Sequence, residues 1–193
     1  MTKVIIVDKA AIARAPMAMQ MFKKHAPNLE VIARSLTQND GDSLQDDAAY
    51  VLRELNYEYP HDYVSIQLRE DDLDSLTGLD FVFSFSESHL TRIADKKAGT
   101  YRLQLLSEYA GHGKREVQDP ERLVVPPPTI FKYQDYRPKA PFWASSLYYR
   151  MLGKLDERDV DGRRAMYLEI GREIQLYVQG AIARMQREGI VIS

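Results

Sequence analysis

Short apolar runs alternate with helix-like patterns along the first half of the chain, and this alternation constrains the fold more than any other feature. The first run, residues 3–7, is apolar on both faces and rich in β-branched residues, which is typical of a strand buried between two layers. Further strands are predicted at 29–33, 79–85 and 101–106, and helices after Pro16 and at 46–55, 70–76 and 87–94. Because strands separated by helices form parallel sheets, we expect a parallel sheet covered by helices. Residues 64–68 fit either a short strand or an extended linker.

The C-terminal part of the chain has two further patterns. Between 124 and 141, five prolines are interleaved with aromatic residues, which predicts an extended segment rather than a strand or a helix. Residues 161–188 then carry apolar side chains at intervals of three and four, which predicts a long helix with one apolar face. The residues of that face are Met166, Ile170, Ile174, Tyr177, Val178, Ala181, Ile182 and Met185.

Composition narrows the class of protein. Lys plus Arg number 26 and Asp plus Glu number 28, so the net charge of −2 does not favour nucleic acid or an anionic membrane as a partner. The chain has no cysteine, which excludes disulfides, thiolate metal sites and thiol nucleophiles. The four histidines show no paired spacing, so we expect neither a metal nor another cofactor. The N-terminus does not resemble a signal peptide and no apolar stretch approaches the ~20 residues of a membrane helix, which favours a cytoplasmic protein.

The segment from Val7 to Ala18 reads V-D-K-A-A-I-A-R-A-P-M-A and carries the most specific motif. It resembles the phosphate loop of the low-molecular-weight protein tyrosine phosphatases, which has a cysteine, five residues, an arginine, a hydroxyl residue and a proline after a buried strand. Arg14 and Pro16 stand at the matching positions, and Asp8 stands where the family has its nucleophilic cysteine. The Asp-Pro that carries the family's general acid is matched by Asp119 and the proline after it.

The resemblance continues through residues 63–73, 80–93 and 117–120, so it covers about residues 2–121 and the final helix. It implies an α/β fold: a three-layer α/β/α sandwich with a four-stranded parallel sheet. It also implies a single domain over 1–193, in which residues 122–161 are inserted before a C-terminal helix at 161–188. The anion loop would comprise Lys9, Ala10, Ala11, Ile12, Ala13 and Arg14.

Several departures from the family pattern cluster at this site. The family needs a thiolate nucleophile, a ring of amides with an arginine, and an acid for the leaving group. The chain keeps Arg14 and Asp119 but has lost the nucleophile. Ala15 stands where the family has a hydroxyl residue, and Glu121 and Arg122 stand where it has aromatics. Ala10 and Ala11 stand where it has a Gly-Asn pair, which adopts unusual backbone angles at a lower cost. We therefore expect a pseudophosphatase whose degenerate site, Asp8, Arg14 and Asp119, contains no catalytic residue.

Three roles are open for Asp8. Its carboxylate can fill the phosphate site from within by accepting loop amides and pairing with Arg14. It can instead cap a helix that starts near Ala15, or act as an aspartyl nucleophile. The run 3–15 also resembles the first strand and helix of a response-regulator receiver, with Asp8 as a metal-binding acid. That family needs an acceptor aspartate at the end of the third strand, where residues 84–86 are Ser-Phe-Ser.

Two classes of function follow. The favoured one is an inactive phosphatase homologue that binds an unknown protein partner or forms a homodimer. The inserted segment, with Trp143 and its neighbouring aromatics, is expected either to wrap its own domain or to make that contact. The alternative is an active phosphatase, or an arsenate-reductase-like hydrolase, that uses a nucleophile other than cysteine.

Overall fold

A four-stranded parallel sheet lies at the centre of the computed structural model, which describes residues 1–37, 40–120, 124–125, 155–156 and 160–190. Its strands are β1 (Lys3–Asp8), β2 (Glu30–Ser35), β3 (Phe81–Ser84) and β4 (Arg102–Leu105). They lie in the order β2-β1-β3-β4, and each neighbouring pair is parallel. The expected α/β fold with a four-stranded parallel sheet is confirmed.

Helices connect the strands and cover both faces of the sheet. They are α1 (Arg14–His25), α2 (Asp46–Glu54), α3 (Glu70–Asp74), α4 (Glu87–Lys96), α5 (Leu106–Tyr109) and α6 (Val160–Arg187). The single turn α5, which the sequence did not predict, begins directly where β4 ends. No helix in the described part of the chain is long and apolar enough to cross a membrane.

The alternation of side chains along β1 divides the apolar core into two layers. Val4 and Ile6 belong to a cluster with residues of α1, α2 and α6, whereas Ile5 and Val7 belong to a second cluster with residues of α3 and α4. All four side chains are fully buried. This two-sided burial explains why the strand has no polar face.

The sequence left open whether residues 64–68 form a strand or a linker, and it predicted an insertion at 122–161. Residues 64–68 form an extended connector with isolated bridges, one parallel from Ser35 to Gln67 and one antiparallel from Ser43 to Val64. Of the segment 122–161, only the two-residue strands β5 (Val124–Val125) and β6 (Leu155–Asp156) and the first two residues of α6 are described. The expected aromatic contacts of this segment, including those of Trp143, lie outside the described residues.

Candidate functional site

The loop that follows β1 lies at the carboxyl edge of the sheet, where parallel α/β folds bind ligands. Asp8 is the last residue of β1 and is paired with Ser35 at the end of β2. Val7 is paired with Ser84 at the end of β3, so β1 lies between two neighbours at this edge. Residues 9–13 then run from the strand to the first turn of α1.

Four successive carbonyl groups fix this loop by accepting hydrogen bonds from outside it. The carbonyl of Lys9 accepts hydrogen bonds from the hydroxyls of Ser35 and Thr37, both at 2.8 Å. The carbonyl of Ala10 accepts one from the Ser65 hydroxyl at 2.6 Å, and that of Ala11 accepts one from the Tyr63 hydroxyl. The carbonyl of Ile12 accepts one from the Gln45 amide at 2.9 Å. In a trans peptide the N–H points opposite to the preceding C=O. The amides of residues 10–13 therefore point away from these donors.

Ala11 adopts a strained backbone conformation, as the sequence predicted for the alanines at positions 10 and 11. Its φ angle is 53°, in the left-handed region that side chains with a Cβ adopt at a cost of about 1–2 kcal/mol. The hydrogen bond from the Tyr63 hydroxyl holds its carbonyl. Burial, and then the negative charge of Asp8, raise the pKa of Tyr63, so its hydroxyl stays protonated and remains a donor.

Asp8 and Arg14 form a buried, two-pronged ion pair. Arg14 Nη2 donates to Asp8 Oδ1 at 2.5 Å, and Arg14 Nε donates to Asp8 Oδ2 at 3.1 Å. Both side chains are buried, with exposed fractions of 3% for Arg14 and 6% for Asp8. The Lys9 amide also donates to Asp8 Oδ1, at 2.7 Å. The other arm of the guanidinium, Nη1, donates to Val117 O at 2.6 Å, and the group lies 5.5 Å from the ring centre of Phe85. The guanidinium that would hold a phosphate in this family is thus engaged by the protein itself.

The space inside the loop is very small. The cavity lined by residues 8–13 and Asp119 has a volume of about 10 Å³, no more than a single water needs.

Asp8 does not cap α1, because Ala13 precedes the helix and no side chain caps it. The capping role considered for Asp8 is therefore wrong. Within the described residues one backbone amide, that of Lys9, donates to the carboxylate, so the guanidinium and not a ring of amides is its main partner.

The structure brings together the residues that the sequence singled out, although Asp8 and Asp119 lie far apart in the chain. Asp119 Oδ2 lies 3.6 Å from Arg14 Nη2, so two carboxylates face one guanidinium. Sequence reasoning missed the donors that hold the loop from outside, above all Tyr63 and Ser65. Their position in the segment 63–73, which follows the family pattern, was the available signal.

Comparisons with known proteins agree with this geometry. The profile of the family described as low molecular weight phosphotyrosine protein phosphatase matches residues 3–126. No curated protein matches the sequence significantly.

Solved structures share the fold at low sequence identity. The YwlE arginine phosphatase from Geobacillus stearothermophilus is 17% identical, with a TM-score of 0.65 over 98% of this chain and 96% of its own. A low molecular weight phosphotyrosine phosphatase from Vibrio cholerae O395 is 15% identical, with a TM-score of 0.67 over 98% of this chain and 100% of its own. YfkJ from Bacillus subtilis is 15% identical, with a TM-score of 0.66 over 97% and 96%. With its phosphate-loop arginine in place, its Asp-Pro beside that arginine and its family profile matched over most of the chain, this protein belongs to the low molecular weight phosphotyrosine protein phosphatase family.

Proposed function

We propose that this protein is a catalytically inactive member of its family that acts in the cytoplasm by binding a protein partner or by associating with itself. One observation carries the proposal: the buried carboxylate of Asp8 accepts two hydrogen bonds from the guanidinium of Arg14, the arginine that matches the family's phosphate-binding arginine. A substrate phosphate would have to displace a buried carboxylate from its counter-ion before it could bind.

The chemistry of the site supports inactivity in two further ways. The chain has no thiol to form the family's covalent intermediate. An attack by Asp8 on phosphorus would require a phosphate dianion to approach Asp8 and Asp119 together, although a single guanidinium faces both. Enzymes that form aspartyl phosphate offset such repulsion with a metal ion. Across the described residues, no group of three or more His, Asp or Glu side chains is arranged to hold one.

Turnover of p-nitrophenyl phosphate tests this proposal against the enzyme alternative. We expect the wild-type protein to release no more p-nitrophenol than a buffer blank, and the Asp8→Ala variant to behave in the same way. Wild-type turnover that Asp8→Ala abolishes would establish Asp8 as a nucleophile and overturn the proposal.

Anion binding tests the self-occupied loop separately. Asp8→Ala removes the internal carboxylate and leaves Arg14 with the loop amides, so inorganic phosphate should bind the variant and raise its unfolding temperature. The gain in stability is about 2.7 kcal/mol at a concentration one hundred times the dissociation constant. The matched control is Asp72→Ala, which removes the carboxylate of the Arg34–Asp72 pair away from the loop. Equal stabilisation of the wild-type protein by phosphate would show that Asp8 does not block the site.

Self-association is tested by sedimentation velocity. We expect a concentration-dependent dimer in the wild-type protein, because aromatic residues in the segment 122–161 are numerous enough to form a contact surface. Deletion of residues 126–141 together with polar substitution of Trp143 and Tyr148 should give a folded monomer. A wild-type protein that stays monomeric at high concentration would exclude the homodimer and leave a different protein as the partner.

A further inference from the structure

Residues 115–119, here called the closing segment, pass beside the loop and are fastened to the body of the domain. The Ser107 hydroxyl of α5 donates to Arg115 O at 2.5 Å. The amide of Val117 donates to the carbonyl of Phe85, directly after β3, at 3.1 Å. These bonds join the closing segment to the β3–β4 side of the sheet, whereas the loop belongs to β1 and α1.

Arg14 joins the closing segment to the loop as well. Its Nη1 donates to Val117 O at 2.6 Å, and its Nη2 lies 3.6 Å from Asp119 Oδ2. The backbone of Val117 is therefore held on both sides, at its N–H by Phe85 and at its carbonyl by Arg14. Because Val117 is only 2% exposed, water does not take the place of the guanidinium unless the segment opens.

Asp8 fixes the direction in which Nη1 of Arg14 points. The nitrogens of a guanidinium lie in one plane and present their N–H groups in a rigid fork. Two of them, Nη2 and Nε, donate to the Asp8 carboxylate at 2.5 and 3.1 Å. The third, Nη1, then has one remaining direction in that plane, and it meets the carbonyl of Val117 there.

We propose that Asp8 and Arg14 form a latch, which holds the closing segment in its observed position without any bound ligand. Asp8 supplies the charge that orients the guanidinium, and the guanidinium holds Val117. Without that charge, Asp119 is the carboxylate within 4 Å of Arg14 among the described residues, so the guanidinium turns towards it and leaves the carbonyl of Val117. For the proposed binding function, on which this consequence alone rests, a segment already held in place lowers the ordering cost that a partner meets.

Amide hydrogen exchange of the full chain, followed by NMR, tests the latch. Asp8→Asn removes the charge with little change in shape, and Arg14→Lys keeps a cation beside Asp8 but lacks the fork that also reaches Val117. In both variants we expect the Val117 amide to exchange roughly tenfold faster than in the wild type, relative to the amides of β1 and β3. The matched control is Arg34→Lys, which alters the two-pronged pair with Asp72 and should leave the Val117 amide unchanged.

The latch is refuted if the Val117 amide exchanges at its wild-type rate in both variants while they remain folded. It is also refuted if the amides of β1 and β3 accelerate by the same factor, because the loss would then be global, or if Arg34→Lys accelerates Val117 equally. If one of the two variants does not fold, the other decides. Turnover of p-nitrophenyl phosphate bears on the proposed function alone, so failure of the latch and failure of that function are told apart.

Discussion

Removal of the cation from the buried ion pair at the loop gives the sharpest test of the structure. In the Arg14→Met variant the Asp8 carboxylate would stay at the closed end of β1 without its two guanidinium hydrogen bonds. The variant also loses the donor to Val117 O, a bond of 2.6 Å between two segments far apart in the chain. Breaking one partner of a buried pair costs about 3–5 kcal/mol, because the other charge is left desolvated.

The control for this variant is the Arg34–Asp72 ion pair, which is more exposed to solvent. Arg34 donates to Asp72 through both Nε and Nη2 at 3.0–3.1 Å, so its geometry is also two-pronged. The side chains of that pair are 17% and 15% exposed, against 3% and 6% for Arg14 and Asp8. Since water screens and solvates an exposed pair, we expect Arg34→Met to cost only about 1 kcal/mol.

Urea unfolding followed by circular dichroism measures both variants, with the m-value checked for constancy. For a chain of this size the Arg14→Met loss corresponds to an unfolding temperature roughly 6–20 °C lower. The double variant Asp8→Asn/Arg14→Met should recover part of the loss, with a coupling free energy of about 2 kcal/mol. A loss in Arg14→Met below about 1 kcal/mol, or no larger than that of Arg34→Met, would mean that the pair is not buried as described.

Three further predictions concern the scaffold. Burial opposes ionisation of Asp80, but hydrogen bonds from the amides of Lys3 and Thr77 outweigh it and lower the pKa of Asp80. The ionised carboxylate therefore stabilises the fold above about pH 4, and this stabilisation is lost as the pH falls through the lowered pKa. In acid–urea titrations, Asp80→Asn should cost roughly 1–2 kcal/mol at pH 7 and almost nothing at pH 2. A methyl group at Gly171 would lie 2.2 Å from Cγ1 of the buried Val51, so Gly171→Ala should lower the free energy of unfolding by about 1–2 kcal/mol despite its better helix propensity, and an unchanged value would contradict the α6–α2 packing. Tyr63→Phe leaves the carbonyl of Ala11 without its donor and should cost about 1–2 kcal/mol in the same urea assay, with no loss expected if that hydroxyl bonds only to water.

The sequence by itself determined the sheet, the loop motif and the absence of cysteine. The apolar runs and the helical periodicity depend on near neighbours in the chain. They predicted the four strands of the parallel sheet and the long C-terminal helix. The spacing of Asp8 and Arg14 is also local, since the loop between them is five residues long in the sequence. Their placement at one loop therefore needed no knowledge of the fold.

Only the tertiary structure decided how the site is closed and what lies beside it. The donor from Arg14 to the carbonyl of Val117 joins positions 103 residues apart, and the bond from Ser65 to the loop spans 55 residues. No periodicity encodes such contacts, because they depend on how the sheet and its connecting segments converge in space. The same convergence buries His89 and leaves its Nδ1 without a hydrogen-bond partner in the part of the chain that the structure describes, although the sequence showed only an isolated histidine. Burial and long-range hydrogen bonding, and not local propensity, thus determine how the loop that carries the Asp8–Arg14 pair is held.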